Sequence, residues 1–131
     1  MAVAKIVIKD NDTGKNPTKR LIAIVMDSND KSKIVPFGLK NSGGTYFDGA
    51  NDSKKDEYIR SHSKMGEDWS NTGIRKAGFY SRWVLWESRS KAEIKKLIKE
   101  KSGAKIVNVN VITKPIFSNT FTAEIAISGS W

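Results

Sequence analysis

The side chains of this sequence that best suit molecular recognition are concentrated in residues 75–89, RKAGFYSRWVLWESR. Four aromatic and four basic residues fall within these fifteen positions. Exposed aromatic rings stack on nucleobases while cations neutralise phosphates, which is the chemistry of single-stranded nucleic-acid binding. Tryptophan, tyrosine and arginine are also the anchor residues of protein–protein interfaces. The segment therefore predicts a surface that binds a nucleic acid or another protein.

The sequence leaves two interpretations of this segment open. If it is helical, Phe79, Trp83 and Trp86 lie on one stripe and the arginines on another; if it is extended, alternate residues face opposite sides. The rings are then either exposed for binding or packed in the core, with the arginines as a solvated rim. The candidate residues for binding a partner or a polyanion are Arg75, Lys76, Arg82, Arg89, Lys95, Lys96 and Lys99. The candidate aromatic anchors are Tyr80, Trp83, Trp86 and Trp131.

A predicted helix that follows this segment adds further positive charge. Ser90 and Glu93 have the spacing of a capping box, and the apolar residues at i, i+3 and i+4 are Ile94, Leu97 and Ile98. The helix is predicted to end near residues 102–103. Its outer face carries Lys91, Lys95, Lys96, Lys99 and Lys101. These lysines either extend a footprint for a polyanion or form a solvated face.

Catalytic and metal-binding patterns are incomplete in this sequence. His62 is the single histidine and lies beside apolar residues of a predicted helix, where a structural role competes with that of a general base. There is no cysteine and no Gly-x-Ser-x-Gly motif. The segment 10–14, DNDTG, has its glycine too early for a calcium loop, and the glycine-rich segment 38–49 lacks the lysine of a phosphate loop. We therefore predict no enzyme, no metal site, no cofactor and no small-molecule substrate.

The composition favours a basic globular protein. The chain of 131 residues has a net charge of +9, and residues 51–103 hold 13 basic against 8 acidic residues. Such a balance favours acidic or polyanionic partners through long-range attraction. No apolar run is long enough to span a bilayer, and the first residues lack the order of a signal peptide. We expect a protein that is not secreted.

The distribution of apolar residues predicts an α+β fold. Residues 3–9, 21–26 and 33–37 are short and β-branched, with turn-forming residues between them. A helix capped by Asn51 or Asp52 follows and is predicted to end near residue 64. Near the end of the chain, two alternating segments read as a hairpin, at residues 105–113 and 119–127. We predict an antiparallel sheet from the N- and C-terminal strands, packed against two or three central helices. We predict that residues 1–131 form a single domain. The alternative is that residues 104–131 are a β-hairpin appended to it.

Three motifs in the middle of the chain resemble a family of viral proteins. They are DEYIRSH at residues 56–62, WSNTGI at 69–74 and AGFYSRWVLW at 77–86. The family consists of small, uncharacterised basic proteins of large nucleocytoplasmic double-stranded DNA viruses, such as chlorella viruses and mimivirus relatives. Its pattern includes Ala-Gly-Phe-Trp-Ser-Arg-Trp-x-Leu-Trp, in which this chain has Tyr80 for the first tryptophan. The resemblance covers about residues 36–100, half of the chain.

The resemblance implies a viral origin, and the family has no established activity to transfer. Together with the lack of a catalytic set, it favours a non-enzymatic viral structural protein. This would be a minor virion or capsid component that binds other viral structural proteins through its basic, aromatic-rich middle. The alternative is an accessory protein that binds nucleic acid without sequence specificity. We expect the protein in the virion or in the cytoplasm or nucleus of the infected cell.

Overall fold

The computed structural model describes residues 3–29, 31–40 and 44–111, which form an α+β fold. The strands are β1 (Val3–Asp10), β2 (Lys19–Asp27), β3 (Ser32–Leu39) and β4 (Ile106–Asn110). The helices between β3 and β4 are α1 (Asp52–Lys64), α2 (Ala77–Tyr80) and α3 (Lys91–Ser102). A π-helical turn, Ser81–Leu85, directly continues α2. The predicted class, a sheet with central helices, is confirmed.

The sheet has the strand order β3-β2-β1-β4. The first three strands pair antiparallel as a meander, in which Ile6 lies opposite Val25. The fourth strand runs parallel to β1, with Val107 opposite Ile6, so the sheet is mixed and not wholly antiparallel as the sequence predicts. The reason is the connection, because the chain passes through all three helices before it returns beside β1, and parallel neighbours need such a long crossover. The predicted strand 119–127 and the candidate anchor Trp131 lie outside the described residues.

The hydrophobic core lies between one face of the sheet and the helices. The buried core residues of the sheet are Val3, Ile6, Ile8, Leu21, Ala23, Val25, Val35, Phe37 and Val107. Those of the helical layer are Phe79, Tyr80, Val84, Leu85, Ile94 and Ile98. Successive strand residues point to opposite faces, and Ile34 and Ile106, which alternate with core residues, are 51% and 53% exposed. The segment 75–89 therefore packs on the core side of the sheet.

Side-chain caps fix where the two long helices begin. At the start of α1, Oδ1 of Asn51 accepts the backbone N–H of Lys54 at 2.9 Å. At the start of α3, Oγ of Ser90 accepts the backbone N–H of Glu93 at 3.3 Å. Both predicted caps are confirmed. The Glu93 carboxylate accepts a hydrogen bond from the Ser88 hydroxyl at 2.5 Å, and that hydroxyl oxygen accepts the N–H of Ser90. The Ser88 hydroxyl thus links the backbone N–H of Ser90 to the side chain of Glu93, the two residues of the predicted capping box.

A buried ion pair ties the loop after β3 to the sheet. Arg20 on β2 donates to both carboxylate oxygens of Asp48, at 2.7 and 2.8 Å. The Asp48 side chain is 0% exposed and also accepts the backbone N–H and the hydroxyl of Thr45. Four hydrogen bonds thus satisfy a carboxylate that has no access to water. The ion pair holds the 3-10 turn Tyr46–Asp48, and hence the approach to α1, in a fixed position against β2.

We expect Asp48→Ala to lower the free energy of unfolding by about 3–5 kcal/mol, because it removes the carboxylate from a buried guanidinium. Urea unfolding followed by circular dichroism measures this change. The matched control is Asp12→Ala, which breaks the exposed ion pair between Lys9 and Asp12 and should cost less than about 1 kcal/mol. Equal costs for the two variants would contradict a structural role for the buried pair.

Candidate functional site

The π-helical turn decides which side chains of residues 75–89 face the core. In a π-helix residue i bonds to i+5, so residues four and five positions apart share one side. Tyr80, Val84 and Leu85 have this spacing, and each is at most 1% exposed. Trp83 and Trp86 are half-buried and pack against the edge of the core. The buried set therefore differs from the stripe of Phe79, Trp83 and Trp86 that a regular α-helix would bring together.

Tyr80, a candidate anchor from the sequence, belongs to the core and not to the surface. It is 0% exposed and packs against Phe37 and Phe79, with ring centroids 5.6 and 4.9 Å apart. Its hydroxyl donates a hydrogen bond of 2.5 Å to the backbone oxygen of Ile74. Burial raises the pKa of Tyr80. A phenol that is packed on all sides and has its hydroxyl satisfied cannot contact a partner.

Arg82 is also buried and does not face solvent as a phosphate-binding residue would. It is 9% exposed, and its guanidinium lies over the rings of Trp69 and Trp83, 5.5 and 4.4 Å from their centroids. It donates to the Glu87 carboxylate at 2.7 Å, and Nε is a buried donor with no partner among the described residues. Two rings and a carboxylate replace the water that an exposed guanidinium would have. This arginine therefore organises the interior of the segment.

A tight turn of residues 68–73 positions Trp69 beneath that guanidinium. The carboxylate of Asp68 accepts hydrogen bonds from the hydroxyl and the backbone N–H of Ser70, and these bonds lower the pKa of Asp68 to about 2. A Cβ at Gly73 would lie 2.1 Å from the backbone oxygen of Asp68. The turn therefore requires glycine at position 73.

Arg89 fastens the loop before α1 to the segment after the π-helical turn. Its Nε donates to the backbone oxygen of Tyr46 at 3.2 Å, and Nη2 donates to that of Ala50 at 2.6 Å. The guanidinium also lies 4.0 Å from the centre of the Tyr46 ring. The side chain is exposed, but its donors serve contacts within the protein. Arg89 is thus a tether between two loops more than a ligand for phosphate.

The remaining predicted polyanion-binding residues are exposed. They are Arg75, Lys76, Lys95, Lys96 and Lys99. Within the described residues none of these five takes part in a salt bridge. The structure therefore separates the predicted set, with Arg82 and Arg89 committed to internal contacts and the lysines open to solvent. The burial of Tyr80 agrees with the interpretation that the rings pack in the core, and the burial of Arg82 does not fit either a phosphate-binding residue or a solvated rim.

One row of lysines on α3 has the same sign along its length. We name it the lysine row: Lys91, Lys95 and Lys99, all exposed and four residues apart. Residues at this spacing lie on one side of an α-helix, with a rise of about 6 Å between neighbours. Lys96 is three residues from Glu93 and four from Glu100, so its charge lies beside two carboxylates. The positive charge of the lysine row is thus not balanced by a carboxylate three or four residues away on the helix.

Three rings stack between α1 and the segment after the π-helical turn. We name them the aromatic column: His62, Tyr58 and Trp86. The centroids of Tyr58 and His62 are 4.0 Å apart, and those of Tyr58 and Trp86 are 4.6 Å apart with planes 6° from parallel. Two rings cannot share one face of a phenol at these separations, so they cover opposite faces of Tyr58. Burial is the main cause that raises the pKa of Tyr58, and the charge of Glu67 adds to it. The column docks α1 on the core.

A groove runs past the aromatic column. One part of it, about 830 Å³ in volume, lies between α1 and the loop 44–51, and the other part, about 380 Å³, lies between the column and the end of β3. All three rings of the column and Gly44 line both parts, so the column borders each of them. Volumes of this size are typical of sites that bind small molecules or short peptide segments.

Sequence reasoning did not identify most of the residues that build this site. Tyr58 and His62 have an i, i+4 spacing, which could have indicated that their rings meet on α1. No local pattern in the sequence predicts the contact between Trp69 and Arg82. The same holds for the ion pair of α1, in which the amine of Lys55 lies 3.5 Å from the carboxylate of Glu87. Those contacts depend on the path of the chain between α1 and α3.

We expect Arg82→Ala to lower the free energy of unfolding by about 2–4 kcal/mol, because the variant removes two ring contacts and an ion pair from the interior. Thermal and urea unfolding give the change. The control is Arg75→Ala, an exposed arginine of the same segment, which should stay within about 0.5 kcal/mol of the unchanged protein. A small effect of Arg82→Ala would indicate that this side chain is a surface residue after all.

We expect all three tyrosines to ionise above the ordinary phenol pKa of about 10 in the folded protein. Burial raises the pKa of Tyr58 and Tyr80, and a hydrogen bond to Asp52 raises that of Tyr46. A raised pKa favours the protonated phenol in the folded state, so this stabilisation is complete below pH 10 and is lost as the pH rises further. Ultraviolet absorbance of phenolate, in native protein and in urea, measures the displacement. A native phenol that ionises as in urea would contradict the prediction for that residue.

Other features of the described residues bear on the kind of site. Within residues 3–29, 31–40 and 44–111, no group of three or more His, Asp or Glu side chains is placed to hold a metal ion. No helix in this part of the chain is both long and apolar enough to cross a membrane. Comparison of the chain with protein-family models, with curated proteins and with solved structures gives no match.

Proposed function

We propose that this protein is a non-enzymatic structural protein of a large DNA virus, a minor virion component that docks on an acidic surface of another viral structural protein. The lysine row carries the proposal. It presents three like charges on one side of α3, and within the described residues it has no ion-pair partner. An acidic partner surface would neutralise these charges and guide the approach by long-range attraction.

The burial of the central segment supports a protein partner over a nucleic acid. Binding of single-stranded nucleic acid relies on exposed rings for stacking and on arginines for phosphates. Here Tyr80 and Arg82 are buried, and the donors of Arg89 serve the loop before α1. Of the predicted binding residues left on the surface, three are lysines of the regular helix α3, which suit electrostatic docking, and the other two are Arg75 and Lys76. The resemblance of residues 36–100 to viral proteins supports the viral setting.

The second candidate is a nucleic-acid-binding accessory protein. A net charge of +9, with an exposed lysine row, favours contacts to a phosphate backbone without readout of base sequence. Such binding weakens steeply with salt, because each neutralised phosphate releases counterions. Docking on a folded acidic protein involves fewer charges and should depend on salt less strongly.

The test is the triple variant Lys91→Glu, Lys95→Glu, Lys99→Glu. We expect it to reduce the copy number of the protein in purified virus particles by about tenfold or more, because a favourable contact becomes a repulsive one. The matched control is Lys31→Glu, Lys33→Glu, Lys40→Glu, which changes the net charge equally at exposed positions on and beside β3. Quantitative mass spectrometry of the particles gives the copy number. Absence of the unchanged protein from particles, or equal loss in both variants, would overturn the proposal.

The same two variants separate the candidates in a titration of labelled duplex DNA followed by fluorescence anisotropy. Docking on a protein predicts weak binding near physiological salt that the two variants reduce alike, since only net charge matters. Micromolar binding with a steep salt slope, lost in the α3 variant and kept in the control, would favour the nucleic-acid function.

A further inference from the structure

We propose that the outer face of the sheet, which is turned away from the helices, is the docking surface for residues 112–131 of this same chain, with Phe117 against its apolar centre. These residues lie outside those that the structure describes, and they begin two residues after the end of β4. The surface belongs to the strands and their connecting loop, so its role is independent of the function assigned to α3. Three observations support the assignment: the apolar residues of this face, the place where the chain leaves the sheet, and the charges of the face and of the segment.

The outer face carries apolar side chains that the core does not use. They include Val7, Ile22, Ile24, Ile34, Pro36 and Ile106. None of these residues belongs to the core between the sheet and the helices. The strand register places Val7, Ile24 and Ile34 in one row across three neighbouring strands. A sheet face that borders water alternates to polar residues at such positions, so this row indicates a surface that is covered.

A cavity of about 340 Å³ lies between this face and the loop that joins β1 to β2. The strands contribute Ile22, Ile34 and Pro36 to its lining, and the loop contributes Thr13, Lys15 and Asn16. A concave site with an apolar lining on one side suits a large apolar side chain, and an aromatic ring buries roughly 150–250 Å² in such a place. The cavity is therefore the part of the outer face where a phenylalanine gains most.

The chain leaves the sheet at the end that carries this cavity. Because β4 is parallel to β1, the register aligns four residues in one row across the sheet: Asn110, Lys9, Ile22 and Pro36. Neighbouring strands are about 4.8 Å apart, so Pro36 lies roughly 14 Å across the face from the end of β4. Phe117 follows Val111 by six residues, which span roughly 20 Å when extended. The segment is therefore long enough to bring Phe117 to the cavity.

The charges favour this segment over a second copy of the chain. Residues 112–131 contain one lysine and one glutamate, so the segment is neutral. The outer face carries Lys5, opposite Ile106, and its cavity contains Lys15. Two copies placed face to face would bring these lysines together, in molecules that each carry a net charge of +9. A neutral segment avoids this repulsion, and its covalent link gives it an effective concentration of the order of millimolar.

The experiment is disulfide cross-linking in the full chain, which has no cysteine of its own. The test pair is Ile34→Cys with Phe117→Cys, and the matched control is Leu39→Cys with Phe117→Cys. Ile34 and Leu39 both belong to β3, are 51% and 56% exposed, and lie on opposite faces of the sheet. Strand spacing places both roughly 16–18 Å from the end of β4, so a segment that docks nowhere reaches them equally. Because a disulfide needs Cα atoms within about 7 Å, docking should make the test pair cross-link at least about tenfold faster.

Non-reducing gel electrophoresis and mass spectrometry distinguish a disulfide within one chain from a disulfide between two chains. Circular dichroism of the reduced proteins verifies that both double variants are folded. Equal rates for the two pairs would overturn the proposal, and so would a disulfide that joins two chains, because the occupant would then be a second copy.

A second measurement needs no cysteine. Phe117→Asp places a charge where an apolar side chain docks, so it should lower the midpoint of thermal unfolding by about 5 °C or more. The matched control is Ser118→Asp, the same charge one position along the chain, which should change the midpoint by less than about 2 °C. Equal midpoints for the two variants would contradict docking of Phe117 on the outer face.

Discussion

The guanidinium of Arg82 is the interaction on which the helical half of this protein depends. It joins the turn that carries Trp69, the π-helical turn that carries Trp83 and the carboxylate of Glu87, and Glu87 in turn meets Lys55 of α1. Each of these segments is too short or too polar to pack alone, and α1 has no fully buried residue. A cation between two rings supplies directional contacts where apolar area is scarce. Together with the aromatic column, it sets the position of α1.

A second buried arginine does corresponding work on the sheet side. Arg20 holds Asp48, and Asp48 holds the loop that Arg89 reaches from the other direction. Two guanidinium groups thereby fix the loop before α1, Arg89 at Tyr46 and Ala50 and Arg20 at Asp48 between them. In a chain whose positive charge suggests interaction with external anions, three arginines are instead bound to internal carboxylates, carbonyl oxygens and rings. The charge left for partners is mainly lysine, a compact and strongly hydrated cation that gives electrostatic attraction with little geometric specificity.

The sequence predicted the regular elements well because their signals are local. The caps at Asn51 and Ser90, the β-branched strands and the apolar spacing of α3 depend on neighbouring residues, and the structure contains each of them. The parallel pairing of β4 could not be foreseen, since it depends on how three helices cross the sheet. The sequence could not choose between its two interpretations of residues 75–89, because period-3.6 reasoning assumes a regular helix and the π-helical turn changes which residues share a face.

The π-helical turn also bears on which insertions and deletions this segment tolerates in evolution. A π-turn corresponds to one residue more than an α-helical turn would hold, as though a single codon had been inserted. Deletion of one residue between positions 81 and 85 would restore a regular α-helical turn, because the π-turn accommodates the extra residue locally. The register of Trp86, Glu87 and Arg89 would then be kept, and the loss would fall on the buried side chains of the turn itself, Arg82, Val84 and Leu85.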